Sequence, residues 1–155
     1  MKVARLEPVA WTLVLAFLSV LIAREGLARA ALERAVPLSP KELYQTIASS
    51  QVKLQILDIR DDIDEFEDTH VPGAIPLPGC DPAKATAAAA EQVLTSVPTV
   101  IVSADGARQA FDACAARFTQ ARNLEGGLEG WIDQGLPEDR GEYRPPTPAA
   151  GGGCL

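Results

Sequence analysis

KLQILDIRDDIDEFEDTHVPGAIPLP, residues 53–78, begins with a compact apolar run that ends in charge, the pattern of a strand buried in a parallel sheet. The carboxyl end of that strand is Asp58-Ile59-Arg60. An acidic stretch from Asp61 to Asp68 follows, then the turn signal His70-Val71-Pro72-Gly73 and a short strand candidate, AIPLP, from Ala74. Downstream, Thr99 to Val102 (TVIV) reads as a second buried strand, succeeded by a turn from Ser103 to Ala107 and a helix from Arg108 to Phe118. Arg122-Asn123-Leu124 is a third strand candidate, and Gly126 to Gln134 a short final helix stopped by Gly135 and Pro137. Upstream, Ala35 to Leu38 is a short strand candidate, and Ser39-Pro40 supplies the cap and first-turn proline of a helix through KELYQTIAS. Asp81-Pro82 opens an alanine-rich stretch to Leu94 of high helix propensity. Strand and helix alternate, so the expected class is α/β. Its mostly parallel sheet is flanked by helices, with functional loops at the carboxyl ends of the strands.

A length of 155 residues leaves room for about one ordinary domain. The net charge of −7 divides into +2 for residues 1–36 and −9 for the rest. An acidic globular part argues against nucleic acid and anionic lipid surfaces, which are bound through Lys and Arg. VAWTLVLAFLSVLIA, Val9 to Ala23, is free of charge, with Lys2, Arg5 and Pro8 before it and Arg24 and Glu25 after it. That is short against the roughly 20 residues a bilayer core requires, but Leu6 and Leu27 extend it if Arg24 snorkels, and Trp11 suits an interfacial anchor. Two readings stand: a retained single-pass anchor and stem over residues 1–35, or a secretory signal with Ala28-Arg29-Ala30 as the cleavage site. The charged flank from Arg24 to Arg34 favours the anchor, and a short positive N-tail favours the N-terminus inside. The acidic domain then faces the extracytoplasmic side. From Glu138 onward no period remains, and Pro145, Pro146, Pro148 and Gly151 to Gly153 leave residues 139–155 as a flexible tail carrying Cys154. Cys80, Cys114 and Cys154 lie far apart without a C-x-x-C, so neither a disulfide framework nor a zinc site is expected. With His70 as the single histidine, no metal and no cofactor is implied.

Three stretches in order resemble the rhodanese (sulfurtransferase) domain: LDIRDDIDEFEDTHVPGAIPLP from Leu57, VIVSADGARQA from Val100, and NLEGGLEGWIDQGLP from Asn123. The last is the most specific, because Leu124-Glu125-Gly126-Gly127, Trp131 and Gly135-Leu136-Pro137 follow the family's closing segment almost position for position. With the entry segment from Leu38 to Ile47, the resemblance covers residues 36–138. The sequence departs from the pattern by one extra residue between Asp58 and His70, and by Thr69 where a glycine normally precedes the histidine. A one-residue insertion in a surface loop leaves the fold assignment intact.

The resemblance also implies where the chemistry lies. Active members begin the loop after the central strand with a cysteine, continue through four residues and end it with an arginine. The loop's backbone N–H groups cradle the persulfide and the anionic substrate. Here the loop is Ser103-Ala104-Asp105-Gly106-Ala107-Arg108: its length and Arg108 match, but Ser103 stands at the cysteine position. A thiol attacks sulfane sulfur as the thiolate, with a pKa of about 8.5 before loop dipoles lower it, whereas serine has no comparable anion without a dedicated base. Asp105 adds a carboxylate where the loop dipoles attract anions. The related phosphatases use a longer loop with cysteine and arginine, so phosphatase activity is disfavoured too.

Each residue has a plainer role to weigh. Ser103 reads as a hydroxyl satisfying loop N–H groups, and Arg108 either clamps an anion or pairs with Asp105 or another acid. In the family Asp58 and Arg60 imply a buried structural pair, and His70, Pro72 and Gly73 imply turn architecture. Trp131, Phe118 and Cys114, which shares a helix face with Phe111 and Phe118, read as core. Cys80 reads as a more exposed loop residue, and the run from Asp61 to Asp68 as a solvated face or a docking patch for a basic partner. The expected function is therefore a catalytically inactive rhodanese-like module. Residues 9–23 tether it in membrane lipid, and it serves as an accessory or docking subunit of a larger membrane protein complex. The alternative is a sulfur carrier or thiol-redox protein that uses a displaced cysteine, Cys154 or Cys80.

Overall fold

The computed structural model describes residues 11–24, 37–49 and 53–146. The chain divides into two compact units, residues 1–35 and 36–155. In the first, residues 11–24 are helical (α1), with Trp11, Leu13, Phe17 and Ile22 exposed. Among the described residues no helix is long and apolar enough to cross a membrane. The expected span begins at Val9, outside the described residues, as do its extension at Leu27 and the alternative cleavage site.

In the second unit the order is α2 (Pro40–Ser49), β1 (Gln55–Asp58), α3 (Ile63–Asp68), β2 (Ala74–Pro76), a 3-10 turn (Pro78–Cys80), α4 (Ala87–Ala90), β3 (Thr99–Val102), α5 (Arg108–Ala115), β4 (Ala121–Asn123) and α6 (Gly127–Asp133). The four strands form one sheet in the order β2-β1-β3-β4, all pairs parallel. Ile56 pairs with Val100 and Leu57 with Ile101, and period-2 alternation sends these pairs to opposite faces. Leu57, Ile75 and Ile101 meet Phe111, Cys114 and Phe118 on the α5 side, while Ile56, Val100 and Val102 meet Leu43, Phe66, Leu128 and Trp131 on the side of α2, α3 and α6. Both strand faces are thus covered, which is why the central strands read as continuous apolar runs.

Local chemistry explains the element ends. The Ser39 hydroxyl accepts from the Glu42 N–H at 3.4 Å, and the Glu42 carboxylate accepts from the Ser39 N–H at 3.2 Å, a reciprocal capping box. These Ser39 bonds hold the Glu42 carboxyl below its ordinary range. Asp62 caps α3 by accepting from the Asp64 N–H at 2.9 Å. In the turn Val71-Pro72-Gly73-Ala74 the Ala74 N–H donates to the Val71 carbonyl at 3.0 Å, and Gly73 has φ of +75°, the left-handed value that glycine adopts freely.

Three expectations change. The strand candidate at Ala35 to Leu38 reduces, within the described residues, to a single parallel bridge from Leu38 to Leu124. The alanine-rich stretch forms only the four-residue α4, capped by the Thr86 hydroxyl, rather than a helix to Leu94. High propensity cannot carry so short a helix without packing, and Ala89 is its one buried residue. Residues 139–143, expected as the start of a flexible tail, are docked. Asp139 and His70 exchange backbone hydrogen bonds at 2.9 Å, and Tyr143 packs against both core faces.

Cys80 and Cys114 were not expected to pair, yet they form a disulfide across a sequence separation of 34. Spacing carries no information about this pair: the turn after β2 and α5 lie on the same sheet face, and that alone brings the sulfurs together. Closing a loop of this size stabilises by about 3–4 kcal/mol, on the face where the alanine-rich stretch contributes little burial.

Burial pushes the Tyr143 phenol above its ordinary value, and its hydroxyl is buried without a hydrogen-bond partner. A raised folded-state value means that stability is fully present below the unfolded phenol's pKa of about 10 and is lost as pH rises through the folded value. Tyr143→Phe is expected to gain about 1 kcal/mol at neutral pH and to flatten the alkaline fall, as read from urea melts at neutral and alkaline pH.

Candidate functional site

The loop Ser103–Arg108 leaves the carboxyl end of β3, the central position where α/β sheets place their sites. Ser103 is buried, and its Oγ accepts from the Gly106 N–H at 3.0 Å. Asp105 is exposed and accepts from the Ala107 N–H at 2.8 Å. The Arg108 guanidinium points along its own helix to Asp112 at 3.3 Å, an exposed i,i+4 pair, so of the acids considered from sequence its partner is one other than Asp105. Thus two of the loop N–H groups and the Arg108 guanidinium have partners within this chain.

The loop is pressed onto the start of α6. The Leu128 N–H donates to the Ser103 carbonyl at 2.9 Å and the Glu129 N–H to the Ala104 carbonyl at 3.0 Å. Gly127 has φ of +58°, and a Cβ there would collide with the Ser103 carbonyl and the Gly106 N–H, so no other residue fits. Beneath the loop, Asn123 Nδ2 donates to the Gly106 carbonyl at 2.7 Å, while its Oδ1 is buried without a partner. In the sequence Asn123 reads only as the middle of a strand candidate and the first residue of the closing segment NLEGGLEGWIDQGLP. An Asn closing a strand at this sheet end was the available signal.

Asp58 and Arg60 sit at the carboxyl end of the neighbouring β1. Arg60 Nη2 lies 2.8 Å from Asp58 Oδ2 and donates to the Thr69 carbonyl at 2.8 Å, with both side chains buried. The pair ties the strand end to the end of α3 and does not line an open site. His70 stacks on Phe66 with centroids 3.9 Å apart, and its Nδ1 lies 2.7 Å from the Phe66 carbonyl, so Nδ1 carries the proton. It lines a cavity of about 530 Å³ with Gln92, Asp139 and Tyr143, and no residue of the Ser103–Arg108 loop borders that space. Gly126 and Gly127 begin α6, and Trp131 is fully buried, its Nε1 donating to the Pro137 carbonyl at 2.7 Å.

Cys80 requires correction. It is 6% exposed and disulfide-bonded, not an accessible loop thiol, because the 3-10 turn folds its side chain onto α5. Cys154 lies outside the described residues. Among the described residues no cluster of His, Cys, Asp and Glu is arranged to hold a metal ion.

The model of the Rhodanese-like domain family matches residues 39–134. Among solved structures, the chain is similar to the Rhodanese-like domain of a protein from Anabaena sp. at 23% identity and TM-score 0.54, covering 77% of this chain and 90% of that one. A Rhodanese-like domain protein from Staphylococcus aureus is 26% identical with TM-score 0.50, over 65% of this chain and 95% of that one. A thiosulfate sulfurtransferase from Pseudomonas aeruginosa is 23% identical with TM-score 0.54, over 73% of this chain but only 22% of that one. No curated protein sequence matches the chain.

Asp58→Asn leaves the buried Arg60 guanidinium uncompensated. The expected loss is about 3–5 kcal/mol in a denaturant melt, and a loss below 1 kcal/mol would show the pair to be dispensable.

Proposed function

The chain belongs to the rhodanese-like family, and we propose that within it this is a non-catalytic member, tethered to a membrane and docking to a larger membrane complex. The observation that carries the proposal is the internal use of the loop. The Ser103 hydroxyl takes the Gly106 N–H, the Asp105 carboxylate takes the Ala107 N–H, and Asp112 takes the Arg108 side chain. Ser103 stands where active members carry the cysteine, and a serine hydroxyl without a base is a poor nucleophile. His70, the one histidine, is committed to Phe66 and to the segment at Asp139.

Tethering is supported by α1, whose large apolar side chains are exposed, and by the charge-free run from Val9 to Ala23. The Cys80–Cys114 disulfide supports an oxidising, extracytoplasmic location for the domain, because such bonds form and persist there. An acidic, non-catalytic module on that side presents the carboxylates of α3 and its flanks, Asp61, Asp62, Asp64, Glu65 and Asp68, to a basic partner surface.

The full chain is expected to show no thiosulfate-to-cyanide sulfur transfer, and turnover at ordinary enzyme rates would sink the proposal. Ser103→Cys is expected to restore persulfide formation weakly, with Asp105→Ala raising it further. The detergent-extracted protein is expected to co-purify with other membrane subunits; isolation as a lone monomer counts against the docking role.

A further inference from the structure

We propose that the Cys80–Cys114 pair is a reversible thiol switch, opened by a dithiol reductant, with Cys80 as its reactive sulfur. The proposal stands apart from the role of the Ser103 loop. Three observations carry it. First, the two residues differ in place and burial: Cys114 is fully buried in the α5 face, whereas Cys80, 6% exposed as a residue, sits on the turn after β2. Second, the Arg117 guanidinium donates to the Cys80 carbonyl and lies 4.0 Å from the Cys80 sulfur, so a cation waits beside the thiolate that reduction creates. Third, Cys80 has φ of +60°, a left-handed backbone that a non-glycine residue adopts at a cost. Other charges around the turn are Asp81 and the pair Lys84–Asp61 at 3.6 Å beside Gly79.

The exchange balances without a further reactant. One thiolate of the reductant attacks the Cys80 sulfur, the Cys80–Cys114 bond breaks, and Cys114 leaves as a thiolate that takes up a proton. The reductant's second thiol then attacks its own sulfur in the mixed disulfide, releasing Cys80 as a thiolate beside Arg117. Two electrons pass to the cysteine pair, the reductant becomes a disulfide, and the reverse exchange with an oxidised dithiol closes the switch. Opening removes the covalent tether at the start of the segment after the turn, whose far end is held by the Gln55 side chain at Leu94, and in which Ala89 is fully buried while Ala85 and Val93 are only partly buried. The sheet has separate support from both core layers, so the expected opening is local.

The test reduces the full chain with dithiothreitol under native conditions, then follows N-ethylmaleimide labelling of each cysteine and amide hydrogen exchange by mass spectrometry. Cys80 is expected to label about tenfold faster than Cys114, and residues 81–94 to lose protection while β1 and β3 keep theirs. Arg117→Gln is expected to slow Cys80 labelling about three- to tenfold, and Arg117→Lys to restore it. The proposal is overturned if dithiothreitol leaves the pair oxidised, if β1 and β3 lose protection together with residues 81–94, or if Arg117→Gln leaves the Cys80 rate unchanged.

Discussion

The contact on which the rest of the domain depends is the backbone-to-backbone approach of Gly127 to the loop after β3. A left-handed glycine lets the Leu128 and Glu129 N–H groups reach the Ser103 and Ala104 carbonyls. The same contact satisfies two of the donors that a helix start leaves unpaired and clamps the loop at the carboxyl end of the sheet. It also joins the last element of the domain to its central strand. The fold closes on itself there, with Asn123 beneath and Trp131 buried a turn further along.

That clamp sets what the loop can do. In a loop of this shape, amides turned inward form an anion cradle, and the strength of the cradle depends on how many amides remain unpaired. Here short side chains from the loop itself take two of them, and a carboxylate on the following helix takes the arginine. The loop thus keeps its scaffold while two of its N–H groups and its arginine are engaged within the chain. The two sides of the sheet differ in a parallel way. One face is closed by Leu43, Phe66, Leu128 and Trp131. The other relies on Phe111, Phe118 and a cross-linked cysteine pair, because the alanines facing it bury little surface.

Much of the architecture was legible in local patterns. KLQILDI and TVIV read as buried strands because both of their faces meet a helix layer, and Ser39-Pro40 with Glu42 read as a helix start because its cap is made entirely within four residues. The alanine-rich stretch misled for the complementary reason: propensity is local, but a helix survives only where packing anchors it, and only Ala89 is anchored. The segment from Asp139 to Tyr143 carries no period, so its docking on His70 and on both core faces left no mark in the sequence.

The sequence by itself determined the fold class, the strand and helix order, and the chemistry of the loop, since Ser103, Asp105 and Arg108 are identities that no folding event alters. Tertiary structure decided which of those groups pair. Arg108 turned to Asp112 and not to Asp105, His70 was bound to Phe66 and Asp139, and two cysteines 34 residues apart became one bond. The disulfide and the His70–Asp139 bridge depend on which segments the fold brings together, a relation that neither composition nor spacing encodes, whereas Arg108–Asp112 and His70–Phe66 are contacts four residues apart that local geometry allows and the surrounding packing selects.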